Sequence, residues 1–212
     1  MNQYLLKLFK SLVLIYALVL GSHKLNAEEI FKKGDHCLAY QTKETIFLFI
    51  DSVVIGKTCE ISSKIEIEEG NTRFVLSFPI SSLDSGVDIR DDDVTEMLSD
   101  ESTTDIRFIS DFITIEQVKS ALVKGNTKLG GILEIAGESY NVLFPLNLSE
   151  SSGKWLVKGK LVTSLSEFGL ELPSVLGGVV ADTYDYLELH VHLNFKITKG
   201  LPEFQSANVS HN

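Results

Sequence analysis

His190 and His192 stand two residues apart, in the run Leu187-Glu188-Leu189-His190-Val191-His192-Leu193. In an extended strand that spacing turns both imidazoles to one face, where neutral ring nitrogens can share a zinc ion. No third ligand lies near in sequence, so His36, Glu188 or an aspartate would have to be recruited by folding. The apolar residues between the histidines put them on the wet face of the strand. That favours surface histidines over a zinc centre, and no metal ligand is expected. The only cysteines are Cys37 and Cys59. In an oxidising compartment they would pair, and as buried small hydrophobes they would stay thiols; the sequence leaves both open. The acidic run from Asp88 to Asp93 lacks the alternating oxygen ligands and glycine of a calcium loop. It leads into Val94, Met97 and Leu98 at helical spacing, so it reads as a helix start with Asp93 as cap and Glu96 three residues on. Neither Gly-x-Ser-x-Gly nor His-Glu-x-x-His nor a glycine-rich phosphate loop occurs. The common hydrolase and nucleotide-binding readings fall away, and no catalytic residue is expected.

The elements that position these residues begin after a leader. Lys7 and Lys10 precede an apolar run from Ser11 to Leu20, then Gly21, Ser22 and a polar stretch to Ala27. That order predicts a secretory signal over residues 1–27, with export to the periplasm; the alternative is an uncleaved N-terminal anchor. Cleavage would remove three lysines and no acid, so a net charge of −10 would become −13, from 16 basic and 29 acidic residues. Such a surface repels nucleic acid and anionic lipid headgroups. Residues 28–212 then suffice for one domain, with 200–212 as a frayed polar tail.

Strands dominate this domain. Leu187 to Ile197 alternates apolar and polar side chains throughout, the pattern of a strand with one dry face. Ile46-Phe47-Leu48-Phe49-Ile50 reads as a strand covered on both faces or a tight interior turn of sheet, and Ile55 to Ile67 as a strand. Phe74, Leu76, Phe78 and Ile80 form the second arm of a hairpin turned at Glu68 to Asn71. Ile106 to Ile109 is a short strand, and Ile115 to Leu122 a short helix stopped at Gly125-Asn126. Leu129 to Ile135, Tyr140 to Leu148 and Trp155 to Thr163 follow, with Pro145 marking an edge or bulge. Ser164 to Asp182 reads as loop and carries the pair Gly177-Gly178.

About eight antiparallel strands, joined by tight turns, predict an all-β up-and-down barrel with one or two short helices in its connections. Such a barrel is either filled or holds one small guest. The dry faces carry almost no polar group, so the expected guest is a long-chain apolar amphiphile: an isoprenoid, quinone or fatty-acid derivative. The expected lining is Phe47, Phe49, Phe74, Leu76, Phe78, Phe108, Leu133, Tyr140, Val142, Phe144, Phe168, Leu189, Val191, Leu193 and Phe195. No cofactor is expected beyond such a bound lipid. A ligand-free partner-binding β-domain is the alternative, and a zinc enzyme built on His190 and His192 the third reading. Entry is expected at Ser81 to Leu98 or near Gly177-Gly178, where backbone is least constrained.

Ser81-Ser82-Leu83-Asp84-Ser85-Gly86, Arg90-Asp91, and then Val94 and Leu98 resemble the segment after the long strand of the YceI-like family. Ile106 to Ser110, Gly131 to Gly137, Glu167-Phe168-Gly169-Leu170 and Val180-Ala181-Asp182 resemble its later landmarks in order. The resemblance implies a lipocalin-like exported barrel that binds isoprenoids or other long-chain amphiphiles. Two positions depart from the pattern: Thr42-Lys43-Glu44-Thr45 stands where the family has His-Ser, and Ser164 where it has a basic residue.

Overall fold

The computed structural model describes residues 30–47, 49–100, 103–151, 153–175, 181–198 and 201–204, so the leader expected at 1–27 lies outside it. Nine antiparallel strands run edge to edge: β2 (Ile50–Thr58), β1 (Cys37–Ile46), β11 (Ala181–Thr198), β9 (Lys154–Thr163), β8 (Glu138–Ser151), β7 (Asn126–Ile135), β5 (Asp105–Ser110), β4 (Asn71–Pro79) and β3 (Ser62–Glu68). Three short strands lie off this path: β6 (Ile113–Thr114) on β4, and β10 (Ser174–Val175) and β12 (Leu201–Phe204) on β11. The sheet curls into a half-barrel of lipocalin-like form. Its first and last strands, β2 and β3, are successive in sequence and joined only by Cys59, Glu60 and Ile61.

That corner corrects the reading of Ile55 to Ile67 as one strand. The chain turns at Cys59 to Ile61, and Ile61 is buried in an apolar cluster with Val157, Leu193 and Phe195. Cys59 is bonded to Cys37 at the start of β1. Leu38 pairs with Thr58, so the two thiol-bearing residues fall at the same end of the β1–β2 ladder.

Of the two readings of Ile46 to Ile50 the turn holds, but at an exposed tip and not in the interior. β1 ends at Ile46 and β2 starts at Ile50, and Phe47 takes a left-handed φ of 50° in the hairpin turn between them. Ile46 and Ile50 pair across the hairpin, which leaves Phe47 and Phe49 at its tip. A purely apolar run hides a turn when aromatic residues occupy positions that usually fall to glycine or asparagine.

Two helices interrupt the sheet. α1 (Asp88–Leu98) starts five residues before the expected cap, so Asp93 is interior to it. Asp88 and Asp91 lie in its first turn, where carboxylates suit the helix dipole. Asp91 also accepts the Ser85 N–H at 3.0 Å. α2 (Ile115–Lys124) opens on a Thr114–Gln117 capping box and ends at Gly125, φ 70°.

The β8–β9 ladder begins at Leu146–Gly159, so Pro145 sits where β8 loses that neighbour. Over the earlier part of β8 lies a 3-10 turn at Ser166–Phe168, to which Tyr140 donates a hydrogen bond at the Phe168 carbonyl, 2.6 Å. Leu201–Phe204, expected in a frayed tail, pairs with Phe195 to Thr198 instead.

The Cys37–Cys59 bond closes a loop of sequence separation 22. Loop-closure entropy puts its contribution at about 3 kcal/mol. Reduction, or the Cys37→Ser/Cys59→Ser pair, should lower unfolding stability by that order in urea titration. An unchanged midpoint would show that the corner is held by packing alone.

Candidate functional site

Inside the curl lies a cavity of about 1190 Å³. This exceeds the roughly 300–1,000 Å³ of ordinary small-molecule pockets. Its wall is built by strand parity. Phe74, Leu76 and Phe78 come from β4, Phe108 from β5, Leu133 from β7, Tyr140 and Phe144 from β8, and Leu189, Val191, Leu193 and Phe195 from β11. Phe168 reaches it from the 3-10 turn. Three other expected residues stand elsewhere. Phe47 and Phe49 are 56% and 80% exposed at the β1–β2 hairpin tip. Val142 packs with the Leu133 and Phe108 cluster without reaching the cavity. Its cross-strand partner is Gly131, and the Phe108 ring occupies the space over that glycine.

One end of the cavity is polar, and nothing in the strand periodicity marked it. Tyr40, Thr42 and Glu44 of β1 line it, with Arg90 and Asp93 of α1 and Thr183 of β11. β1 shows no apolar alternation over this stretch, because Gln41, Lys43 and Thr45 on its other face are polar too. Arg90 approaches Glu44 at 3.6 Å, which ties α1 to β1 across this end. Here β11 bulges between its pairings to Thr42 and Glu44, and the Thr42 hydroxyl donates to the freed Tyr186 carbonyl at 2.6 Å. Tyr40 pairs with Gly56, and a Cβ on Gly56 would fall 2.1 Å from the tyrosine ring, so only glycine lets the ring lie on β2. The Tyr40 hydroxyl is buried and has no hydrogen-bond partner among the described residues. Burial, with Asp91 and Glu44 adding and Arg90 opposing, pushes it up to about 12. Val87, Ile89, Val94 and Met97 continue the lining along α1. The expected entry at Ser81 to Leu98 therefore overlaps the lining; Gly177-Gly178 lies outside the described residues.

The histidines require a correction. His190 and His192 are on the parity opposite the cavity-facing leucines, yet both are buried, His190 to 2% exposure. The segment from Ile30 to His36 covers that outer face. Phe31 stacks on His192 at 5.0 Å, and His192 Nδ1 meets the Asp35 carbonyl at 2.9 Å. The Asn194 N–H donates to His36 Nδ1 at 3.1 Å, and its side chain bonds the Gly34 and Asp35 carbonyls. His190 Nε2 lies 2.9 Å from Glu188, which also takes Lys160 Nζ at 3.1 Å and the Tyr186 hydroxyl. Among the described residues no group of three His, Cys, Asp or Glu is placed to hold a metal ion.

Burial pushes His190 below its ordinary value against the pull of Glu188, and burial with the nearby His192 does the same to His36. Burial alone would raise Glu188, but the Tyr186 and Lys160 hydrogen bonds and the Lys160 and His190 charges hold it low.

No protein-family model matches the chain. No curated protein matches it either. Solved structures do. BcnA of Burkholderia cenocepacia is 14% identical with a TM-score of 0.53, over 74% of this chain and 95% of that one. A polyisoprenoid-binding domain from Saccharophagus degradans, implicated in plant cell wall breakdown, is 13% identical with a TM-score of 0.55, over 75% and 93%. The YceI protein of Campylobacter jejuni is 14% identical with a TM-score of 0.50, over 71% and 85%. At such identities the likeness is one of fold, and the chain has a YceI-like fold.

The depressed histidines set a pH dependence. A group whose folded pKa lies below its unfolded value of 6.5 contributes stability that is full above 6.5 and is lost as pH falls through that value. Depressed Glu188 acts in the same sense below 4.5. Melting temperature should therefore drop as pH falls below about 6.5, and His190→Gln with His36→Asn should flatten the drop. A flat wild-type profile down to about pH 5 would contradict the buried assignment.

Proposed function

We propose that the protein is an exported carrier that holds one long-chain apolar amphiphile, of isoprenoid, quinone or fatty-acyl type, in the barrel, and that it is not an enzyme. The observation that carries this reading is a wall of mainly aromatic and aliphatic side chains around about 1190 Å³, with its charged groups and most of its hydroxyls toward one end. Area explains the affinity: burying about ten methylenes gains roughly 8 kcal/mol before the entropy of confinement is deducted. The polyisoprenoid-binding neighbour from Saccharophagus degradans supports the ligand class, and residues 1–27 support export to the periplasm. Residues 28–212 form the single mature domain in this reading.

A second reading, a partner-binding β-domain, is favoured by the exposed Phe47, Phe49 and Val53 of the β1–β2 hairpin. Native mass spectrometry of protein from its own cell envelope, with organic extraction, separates the two. The carrier reading expects a chain beginning at Glu28 with a non-covalent lipid adduct; the second expects a protein partner and no lipid.

The cavity itself is tested at Val191, in the middle of the cavity-facing row of β11. Val191→Trp should abolish retention of a long-chain ligand while leaving stability nearly unchanged, because the added ring enters open space. In a filled core the same change would cost about 1–3 kcal/mol. A loss of that size, with no amphiphile bound by the parent protein, would sink the carrier reading.

A further inference from the structure

The proposed carrier reading leaves open which head group the cavity accepts, and the charges around it narrow the choice. We infer that the cavity selects amphiphiles with an uncharged head, an alcohol, amide, ester or quinone, and turns away carboxylates and phosphates on chains of the same length. Carboxylates outnumber cations among its described lining residues: Glu44, Asp93, Glu96, Glu138 and Glu171 stand against one guanidinium, Arg90, and no ammonium. Arg90 is already matched by Glu44 at 3.6 Å, and the Glu44 side chain is only 12% exposed. An anionic head entering beside Glu44 would lose its hydration and meet like charge, from Glu44 itself and from the exposed Asp93, Glu96, Glu138 and Glu171, with no other cation among the described lining residues to compensate it. Apart from these charged groups, the hydroxyls of Tyr40, Thr42 and Thr183, and two further polar residues, Thr127 and His190, the wall is apolar.

A neutral head fits the same groups. The buried Tyr40 hydroxyl has no partner among the described residues, and as a phenol it both donates and accepts. The Thr42 hydroxyl spends its proton on the Tyr186 carbonyl and keeps lone pairs to accept with. Thr183, paired with Glu44, adds a third hydroxyl at the same end. A hydroxyl or carbonyl head can bond to this set without bringing a charge into it. A buried polar group that gains a partner recovers the cost of having been left without one.

The test strips the protein of lipid by organic extraction and loads N-phenyl-1-naphthylamine as an uncharged fluorescent reporter. Geranylgeraniol, geranylgeranyl diphosphate, oleyl alcohol and oleate then compete for it at pH 7.5 and low salt. Both alcohols should displace the dye at concentrations at least tenfold below their anionic counterparts, a gap of about 1.4 kcal/mol. Glu44→Gln should narrow the gap severalfold by releasing Arg90 to an anion; Glu171→Gln, at an exposed position, tests the same charge balance should the first variant fail to fold. Diphosphate or oleate competing as well as the alcohols, or a gap that neither variant moves, overturns the inference and leaves the carrier reading standing. Protein that takes up neither dye nor any of the four amphiphiles overturns both.

Discussion

The short link between the two edge strands is the constraint on which the structure depends. β2 and β3 end the nine-strand path, and Cys59, Glu60 and Ile61 alone connect them. In a flat sheet the edges would lie about 38 Å apart, eight gaps of roughly 4.8 Å. A three-residue link reaches only about 14 Å when fully extended. The sheet therefore has to curl, and the cavity is the space that the curl encloses. The disulfide from Cys59 to Cys37 fixes the link to β1, and the Lys57–Asp84 bridge adds a backbone contact beside it.

Curling gives β11 two different jobs. Its inward row of Leu187, Leu189, Val191, Leu193 and Phe195 is apolar and lines the cavity. Its outward row of Glu188, His190 and His192 is polar but dry, because the Ile30 to His36 segment lies across its lower part and Lys160 and Tyr186 close over Glu188. Burying a carboxylate is tolerable only when several donors share it, and Glu188 has three. The polar network thus fastens the N-terminal segment and the neighbouring strand to the outer wall, and no ligand need touch it.

Local alternation made most of the strands legible. Phe74 to Phe78, Tyr140 to Leu148 and Leu187 to Ile197 each have a clear parity, and their inward residues follow from it directly. What stayed hidden was tertiary. His190 and His192 read as surface residues because a strand pattern reports which face is polar, not whether something later covers it. Phe47 and Phe49 read as core because an apolar pentapeptide, whether strand or turn, is expected to be covered, and here the turn projects beyond the sheet. The polar end escaped because Glu44 and Arg90 are 46 residues apart and meet only after α1 folds across the barrel.

Whether the barrel is hollow was also beyond periodicity, yet its glycines bear on the question. Gly56, Gly131 and Gly159 lie inside strands, where glycine weakens the ladder and needs a reason. At Gly56 and Gly159 a bulky side chain comes nearest to where a Cβ would stand, and at Gly131 the Ile109 carbonyl does, at 2.4 Å, with a ring beside it. The Tyr40 ring lies on Gly56, the Phe108 ring would be 2.8 Å from a Cβ on Gly131, and Leu146 would be 2.6 Å from one on Gly159. Large side chains that settle onto glycines lie along the wall instead of pointing to the axis. The barrel keeps its apolar lining and loses the filling that those side chains would otherwise provide. Three interior-strand glycines, each paired with or diagonal to a large residue on the next strand, are therefore the sequence trace of an open lumen.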